Sequence, residues 1–281
     1  MCLLSSKTMD LPNTIAQKLQ SIMQRQSAFC CQLNLKDLSQ AEFELYYSVR
    51  EKCVQFIKVP HVYFGTQADT FAVAVAILDA FLWKVKVKER LMSIVSAACF
   101  FIASKMLETE ETAPTAREIA ALHCWTGKDL CRMELHILGR LGWHVSFVSY
   151  LALLPVLAEV YGLSQDLVLC DSVVRLAERF LCRQSTVMTG PAVLALALVQ
   201  HVMGDTGTGP AEFQICVHCN IEDAQLKECK KLLSALSASD YKSPPASPPR
   251  LAPKFPLKIF DKPSMAGVTP LYTIFEEPAV A

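Results

Sequence analysis

Two stretches of this 281-residue chain are apolar around almost their whole circumference. Residues 69–83 read DTFAVAVAILDAFLW, and residues 92–105 read MSIVSAACFFIASK. A helix without a polar face has no side to turn toward water, so other helices must surround it. Alanines in both stretches would let neighbouring backbones approach closely. The two stretches therefore predict an all-α fold built around central, buried helices.

The segments on either side have the spacing of ordinary amphipathic helices, with apolar residues on one stripe. Prolines and glycines, among them Pro60 and Pro114, mark the connections between these segments. The predicted outer helices cover residues 14–29, 42–57, 116–123, 128–141 and 221–236.

The same pattern recurs further along the chain. LDAFL at residues 78–82 is echoed by AERFL at 177–181, and the buried run 96–103 is echoed by 192–199. A period of about one hundred residues is too long for a solenoid and predicts two copies of a five-helix domain. We assign residues 1–41 to an N-terminal extension with a helix, 42–146 to the first copy, 147–238 to a second, divergent copy and 239–281 to a tail.

The tail is predicted to be disordered. Residues 240–281 hold nine of the fifteen prolines, a density that excludes helices and favours extended chain. Ser243, Ser247 and Thr269 each precede a proline, which makes them candidate sites for phosphorylation by a proline-directed kinase. Such pairs are also common in any proline-rich tail, and both interpretations stay open.

Charge and hydropathy exclude several classes of protein. There are 27 basic and 27 acidic residues, so the chain has no basic excess for nucleic acid as its main partner. No uninterrupted apolar run approaches about 18 residues, and we expect no membrane span. The twelve cysteines fall mostly in apolar segments, and no signal peptide is recognisable. We expect reduced, mostly buried thiols in an intracellular protein of the nucleus, the cytoplasm or both.

The sequence contains no recognisable catalytic motif, neither a glycine-rich phosphate loop nor HExxH nor GxSxG. Cys216 and Cys219 have the spacing of metal ligands, but a closed zinc site needs four ligands and no second pair accompanies them. A cysteine pair with this spacing more often consists of two thiols that face the core from one helix than of two metal ligands. We therefore expect no enzyme activity, no metal and no cofactor.

Charged residues interrupt several of the apolar helices. Arg50 and Asp79 lie in segments predicted to be buried, and a buried charge needs a partner. We expect them to form an ion pair that locks two helices in register. Lys105 ends the second buried stretch, where a cation suits the helix dipole. Glu134 lies in a more polar helix, and spacing alone favours a solvated face for it.

In combination these segments resemble the cyclins, and most closely the cyclin G and cyclin I subgroup. The resemblance covers about residues 12–236, strongly in the first copy and weakly in the second. The segments similar to cyclins are an opening helix (REKCVQF, 50–56), a counterpart of the LDRFL signature (LDAFL, 78–82), a buried helix with its lysine (CFFIASK, 99–105), and RME (132–134) followed by LGW (141–143).

The resemblance implies a tandem cyclin-box fold and a regulatory subunit without catalytic activity. In cyclins, the residues that match Lys105 and Glu134 make polar contacts with a cyclin-dependent kinase beside its αC helix. The resemblance therefore replaces the interpretation that spacing alone favours, a helix cap for Lys105 and a solvated face for Glu134. It implies that Lys105, Glu134 and the nearby Glu108 bind such a kinase in cell-cycle control.

Some positions depart from the cyclin pattern. The arginine of LDRFL is Ala80 here. The opening helix, which forms a substrate-docking patch in cell-cycle cyclins, has Phe56 for its usual tryptophan and has Lys52 and Cys53 at apolar positions. We expect the charge of Lys52 to weaken the capture of Arg-x-Leu peptides.

Two other classes of function stay open beside the kinase-binding cyclin. One is a cyclin-fold scaffold that recruits a phosphatase regulatory subunit or another regulator without activating a kinase. The other is a nucleic-acid adaptor with the same two-copy fold, which the balance of 27 basic and 27 acidic residues disfavours.

Overall fold

The computed structural model of the protein describes residues 12–30, 40–183, 189–204 and 210–240. Throughout these ranges the regular secondary structure is helical, which confirms the all-α prediction. The first helix of the described residues is α1 (Asn13–Cys30), close to the predicted first helix. The candidate phosphorylation sites Ser243, Ser247 and Thr269 lie outside the described residues.

Five helices form a first set, with one apolar helix at its centre. They are α2 (Gln40–Phe64), α3 (Ala68–Lys84), α4 (Met92–Leu107), α5 (Ala116–Leu122) and α6 (Gly127–Arg140). Helix α4 packs against the other four and is buried along most of its length. Its two buried serines bond to carbonyls of their own helix, at 2.7 Å from Ser96 to Met92 and 2.9 Å from Ser104 to Phe101. An almost wholly apolar helix is therefore the core of this set, as its sequence predicted.

Helix α2 is longer than predicted. The expected helix 42–57 ended before Pro60, whereas α2 continues to Phe64 with that proline inside it. A proline removes one backbone hydrogen bond from a helix, but Pro60 is buried and the next residue is held by a partner. The Nε2 atom of His61 lies 3.4 Å from Glu178 Oε1 in the second half of the chain. Tertiary packing therefore maintains a helix that the local sequence alone would end.

A second set of helices repeats the arrangement. They are α7 (Tyr150–Tyr161), the short α8 (Gln165–Val168), α9 (Asp171–Arg183), α10 (Pro191–Met203), α11 (Pro210–Cys219) and α12 (Asp223–Asp240). Helix α10 is buried from Pro191 to Val199 and packs against α7, α9 and α12. It is the counterpart of α4. The limits predicted for the domains and the tail stay predictions.

The two sets belong to one compact unit, because α2 and α3 both contact α9. Helix α1 packs on the second set, against α7 and α11. An exposed ion pair joins α1 to α7, with 3.0 Å between Lys18 Nζ and Glu159 Oε2. The N-terminal helix is therefore attached to the second set, although the first set follows it in the chain.

Helix α4 and the short turn before it form a stretch, Glu89–Leu107, that is long and apolar enough to cross a membrane. The prediction counted only uninterrupted apolar runs and did not single out this 19-residue stretch. Within the structure 72% of its most apolar 18-residue window is buried. Since α2, α3, α5 and α6 already cover this surface, the stretch has the surroundings of a core helix.

The nine cysteines whose side chains the structure describes are free thiols, and most of these are buried. Burial raises the pKa of Cys53 to about 11 and that of Cys229 to about 12, so these side chains behave as small apolar groups. Only one thiol of the CxxC pair faces the core, since Cys219 is buried and Cys216 is partly exposed. Within the described ranges, no group of three or more His, Cys, Asp or Glu residues is placed to hold a metal.

Candidate partner-binding site

Arg50 and Asp79 form a bidentate ion pair between α2 and α3. Arg50 Nε donates to Asp79 Oδ1 at 2.6 Å, and Nη2 donates to Oδ2 at 3.2 Å. Both side chains are fully buried, where a charge is tolerated only with a well-placed partner. Burial alone would lower the pKa of Arg50, but the charge and hydrogen bond of Asp79, together with Tyr46 and Tyr47, outweigh burial and the pKa is raised. The guanidinium therefore stays charged.

The pair also connects the two helical sets, which the sequence did not predict. Arg50 Nη2 donates a further hydrogen bond, of 2.9 Å, to the carbonyl oxygen of Leu181 in α9. Asp79 belongs to LDAFL and Leu181 to its echo AERFL, so one side chain bonds both copies of the motif. The Arg50–Asp79 pair thus fixes the rigid frame on which the surface residues are presented.

Lys105 and Glu134 are brought together across α4 and α6. Lys105 lies in the last turn of α4, and its Nζ donates to Glu134 Oε1. The ammonium group also lies 4.5 Å from the centre of the Phe101 ring, a cation–π distance. The two partners differ in exposure, at 46% for the Lys105 side chain and 10% for that of Glu134. The carboxylate therefore holds the lysine at the surface.

Spacing alone predicted that Glu134 lies on a solvated face of its helix, and this prediction is wrong. This side chain is on the buried side of α6, between Leu130 and Ile137, and its partner is an exposed lysine. Helix α6 is fixed in position by a capping box, in which Thr126 and Asp129 satisfy each other's backbone N–H groups. A mostly buried carboxylate that orients an exposed cation is an arrangement suited to recognition of a polar partner.

Each of the two charged residues is followed by an exposed apolar side chain. Met106 is 43% exposed and Leu135 is 60% exposed. Sequence reasoning missed both, although Leu135 is out of phase with the buried stripe of α6, and that mismatch is a signal in the sequence. An apolar residue beside an oriented charge is typical of a protein–protein contact.

Glu108, predicted to belong to the same site, has a structural role. Its Oε1 accepts hydrogen bonds from the backbone N of Gln67 at 2.9 Å and from Thr70 Oγ1 at 2.6 Å. These donors lie at the start of α3, where a carboxylate also suits the helix dipole. The structure therefore gives Glu108 the role of a cap of α3, and its contact with a kinase stays a prediction.

The residues of the expected docking patch on α2 are separated by the fold. Lys52 is exposed and its Nζ lies 2.9 Å from Glu89 Oε1. Cys53 is fully buried and belongs to the core. Phe56 is partly buried, with its ring edge-to-face against His123 at 5.8 Å between centroids. An apolar groove at this position is therefore interrupted by an ion pair.

Comparison with known proteins connects this geometry to a family. Residues 18–146, which include most of α1 and all of the first set, match the family described as cyclin, N-terminal domain. Cyclin puc1 of Schizosaccharomyces pombe is 31% identical over 131 residues, 46% of this chain and 36% of puc1. Cyclin-G1 of Homo sapiens is 33% identical over 106 residues, 37% of this chain and 35% of that protein. Cyclin-G2 of Mus musculus is 26% identical over 198 residues, 67% of this chain and 57% of that protein.

A solved structure extends the likeness to both helical sets. The X-ray structure of a viral cyclin from herpesvirus saimiri has a TM-score of 0.58 and covers 80% of this chain and 96% of the viral chain. Its sequence identity is 17%, so this likeness concerns the fold alone. In puc1 and cyclin-G1 the matched segment spans little more than a third of the relative's length. The fold is therefore that of a cyclin, and residues 18–146 of this chain belong to the family of cyclin N-terminal domains, with similarity to cyclin-G1.

Proposed function

We propose that this protein is a regulatory subunit without catalytic activity that binds a cyclin-dependent kinase through Lys105 and Glu134. The observation that supports the proposal is the pair itself, in which a mostly buried carboxylate orients a half-exposed lysine on two packed helices. Exposed Met106 and Leu135 beside it supply apolar area for a partner. Membership of the cyclin family makes a protein kinase the partner of first choice.

The mechanism requires only a rigid surface. A protein kinase is active when the glutamate of its αC helix pairs with the catalytic lysine and the activation loop is open. A partner that binds this arrangement more tightly than the inactive one shifts the population toward it. The buried Arg50–Asp79 pair and the apolar core of α4 make the surface around Lys105 rigid enough for such discrimination.

The proposal is tested by capture of purified cyclin-dependent kinases on the immobilised protein. The variant Lys105→Ala/Glu134→Ala is expected to recover much less kinase than the unchanged chain. Its matched control is Asp223→Ala/Lys227→Ala, which removes an exposed pair of the same kind, 2.6 Å apart, on α12. Equal recovery with both double variants would exclude the proposed surface.

A scaffold without kinase activation is the second candidate. The Lys52–Glu89 ion pair interrupts the surface with which cell-cycle cyclins dock substrates, and Ala80, where cyclins have arginine, is fully buried. Both features favour a protein that recruits a phosphatase or another regulator. Phosphorylation rates of a kinase mixed with this chain separate the two candidates, since a scaffold binds without raising the rate.

Three further expectations accompany the proposal. The location in the nucleus or cytoplasm rests on the cysteine content and on the family, and it stays a prediction. Phosphorylation of Ser243, Ser247 or Thr269 by a bound proline-directed kinase also stays a prediction. A direct role in nucleic-acid binding is not part of the proposal, since the chain carries no net charge.

A further inference from the structure

The last two turns of α2 present an apolar face to solvent. Val59 is 41% exposed, Val62 is 63% exposed and Tyr63 is 58% exposed. Their spacing of i, i+3 and i+4 places them side by side on the helix, and we call them the α2 end face. Earlier in the same helix the exposed positions are polar, among them Lys52 and Gln55. A surface helix whose solvent side changes from polar to apolar has the composition of a contact surface.

The α2 end face is held in one conformation. The ring of Tyr63 packs edge-to-face on Phe64, with 4.9 Å between centroids and an interplanar angle of 86°. Gly65 follows in a left-handed conformation with φ 62°, and the backbone N of Thr66 donates to the carbonyl of His61 at 3.3 Å, which closes the helix end. A partner that binds here therefore loses little free energy to ordering this surface.

Two cations lie beside this face, where α2 meets α9. Lys58 is one turn before Val62 on the same side of α2, and Arg183 is the exposed last residue of α9. Burial raises the pKa of the Cys182 thiol, and the charges of Lys58 and Arg183 act against that rise. Both cations therefore lie near the same buried thiol, at the edge of the apolar residues.

The carboxylate in this region is already engaged. Glu178 Oε1 lies 3.4 Å from His61 Nε2, and the Glu178 side chain is mostly buried. Among the residues that the structure describes, the side chains of Lys58 and Arg183 have neither an ion pair nor a hydrogen bond. Residues 184–188, which follow Arg183, contain no acidic residue. Positive charge at this edge is therefore available to a partner.

We propose that the α2 end face, together with Lys58 and Arg183, binds an amphipathic helix of another protein that carries carboxylates along one edge of its apolar stripe. The apolar stripe would cover Val59, Val62 and Tyr63, and the carboxylates would pair with the two cations. Apolar contact supplies affinity in such an interface, whereas matched charges fix the orientation of the partner.

A helix fits this surface better than an extended peptide does. The backbone groups of α2 are bonded within the helix, so an extended peptide would find no backbone partners here for its own N–H and C=O groups. A helix satisfies its backbone internally, and its apolar side chains recur at the same i, i+3 and i+4 spacing. Two cations are also too few for duplex DNA, whose binding draws on about 6–10 phosphate contacts.

This surface goes beyond the proposed kinase binding. It shares no residue with the Lys105–Glu134 pair, and on α2 it follows Lys52, whose ion pair interrupts the docking patch expected from the family. Binding of a helix can therefore be measured without any kinase. A negative result leaves the Lys105–Glu134 proposal unaffected, and loss of kinase binding leaves this one unaffected.

The first test measures the fluorescence anisotropy of a labelled peptide, stapled as a helix, against the full chain. The peptide has leucines at i, i+3, i+4 and i+7 and glutamates along one edge of that stripe. One comparison peptide has lysines for the glutamates, and another has the same leucines spread around the helix. We expect the glutamate peptide to bind at least about tenfold tighter than either. Equal affinities, or no binding of the glutamate peptide at about 1 mM, would overturn the proposal.

The apolar residues are tested by the variant Val62→Ser/Tyr63→Ser. Since both side chains are exposed, the fold is expected to remain intact, while binding of the glutamate peptide weakens about tenfold or more. The matched control is Phe213→Ser/Val217→Ser on α11, where the side chains are 72% and 63% exposed. Equal losses in the two variants would show that the peptide does not select the α2 end face.

The cations are tested by Lys58→Gln/Arg183→Gln. This variant is expected to weaken binding of the glutamate peptide several-fold at low salt, and the difference is expected to shrink in high salt. The control Lys128→Gln/Lys231→Gln removes two exposed cations elsewhere and is expected to bind normally. The same affinity in both variants would exclude a role for Lys58 and Arg183.

A second copy of this chain is the other possible occupant of the face. Sedimentation of the unchanged protein at increasing concentration is expected to show no dimer that depends on Val62 and Tyr63. A dimer that Val62→Ser/Tyr63→Ser dissociates would assign the α2 end face to self-association and contradict the proposal.

Discussion

One guanidinium links the two helical sets of this cyclin fold, since Arg50 Nη2 donates to the carbonyl oxygen of Leu181 at 2.9 Å. The same side chain holds Asp79 through Nε at 2.6 Å. Three helices, α2, α3 and α9, therefore meet at one buried ion pair. A charge in this position requires its partners, and its removal is expected to disturb both sets together.

The first prediction concerns this pair. Replacement of one partner by an apolar residue, as in Arg50→Met, leaves the buried Asp79 carboxylate without its cation, and it is expected to cost about 3–5 kcal/mol of unfolding free energy. The measurement is urea denaturation, read as the shift of the midpoint at constant slope. The double variant Arg50→Met/Asp79→Leu is expected to be more stable than Arg50→Met. If the single variant unfolds at the wild-type midpoint, the pair does not hold the fold.

The second prediction concerns pH. Burial lowers the pKa of His123 to about 4 from its usual 6.5, and its Nε2 has no hydrogen-bond partner among the described residues. The folded state binds this proton less tightly than the unfolded state does. The neutral ring is therefore fully tolerated above pH 6.5, and stability is lost as the pH falls from there toward 4.

This loss is measured by urea denaturation at several pH values. The His123 contribution reaches about 3 kcal/mol at most. His123→Phe is expected to flatten the stability profile over this range, while His144→Phe, at an exposed histidine, leaves its slope unchanged. A stability profile that His123→Phe does not alter would show that this partly buried ring is not the titrating group.

The third prediction concerns the apolar neighbours of the charged pair. Met106→Ala and Leu135→Ala remove exposed side chains, so each is expected to change the unfolding free energy by about 0.5 kcal/mol or less. Each is expected to weaken kinase binding several-fold if these residues contact the partner. Phe213→Ala and Val217→Ala, at exposed apolar residues of α11, are the matched controls and are expected to bind normally. If the variants of α11 bind the kinase more weakly than those of Met106 and Leu135, the binding surface lies on the second set.

The fourth prediction concerns thiol reactivity. Cys124 and Cys131 are exposed, whereas Cys53 and Cys99 are buried and burial raises the pKa of both thiols. Iodoacetamide reacts with the thiolate, so the native protein is expected to be modified at the two exposed positions first. Peptide mapping by mass spectrometry determines the order in which the cysteines are alkylated. Alkylation in urea is the control, in which all four cysteines are expected to react. Early modification of Cys53 in the native state would contradict the assigned core.

The sequence predicted the structure correctly at positions where burial of apolar or charged groups permits few arrangements. Two helices without a polar face have to be enclosed, and the sequence therefore specified α3 and α4 as the core of an all-α domain. Arg50 and Asp79 were identified as partners for a similar reason, because a buried charge leaves few choices. The hydrogen bond to Leu181 had no such signal, since its acceptor is a backbone carbonyl and any residue type offers one.

The candidate site was less predictable than the core. Lys105 and Glu134 were identified through family resemblance, while their spacing favoured a helix cap and a solvated face. The exposure of a side chain depends on helices distant in sequence, so the buried position of Glu134 could not be derived from the polar helix around it. The same reason explains why the role of Glu108 as a cap was not predicted. Its hydrogen-bond donors at the start of α3 are 38 and 41 residues away in the sequence.

The central claim is that Lys105 and Glu134 form the surface that binds a cyclin-dependent kinase. The direct measurement is the dissociation constant of a purified kinase for the unchanged protein, for Lys105→Ala/Glu134→Ala and for the control Asp223→Ala/Lys227→Ala. We expect the first variant to bind about 30-fold more weakly or worse, as for residues that dominate an interface, and the control to bind normally. A dissociation constant that is the same for all three proteins would contradict the claim.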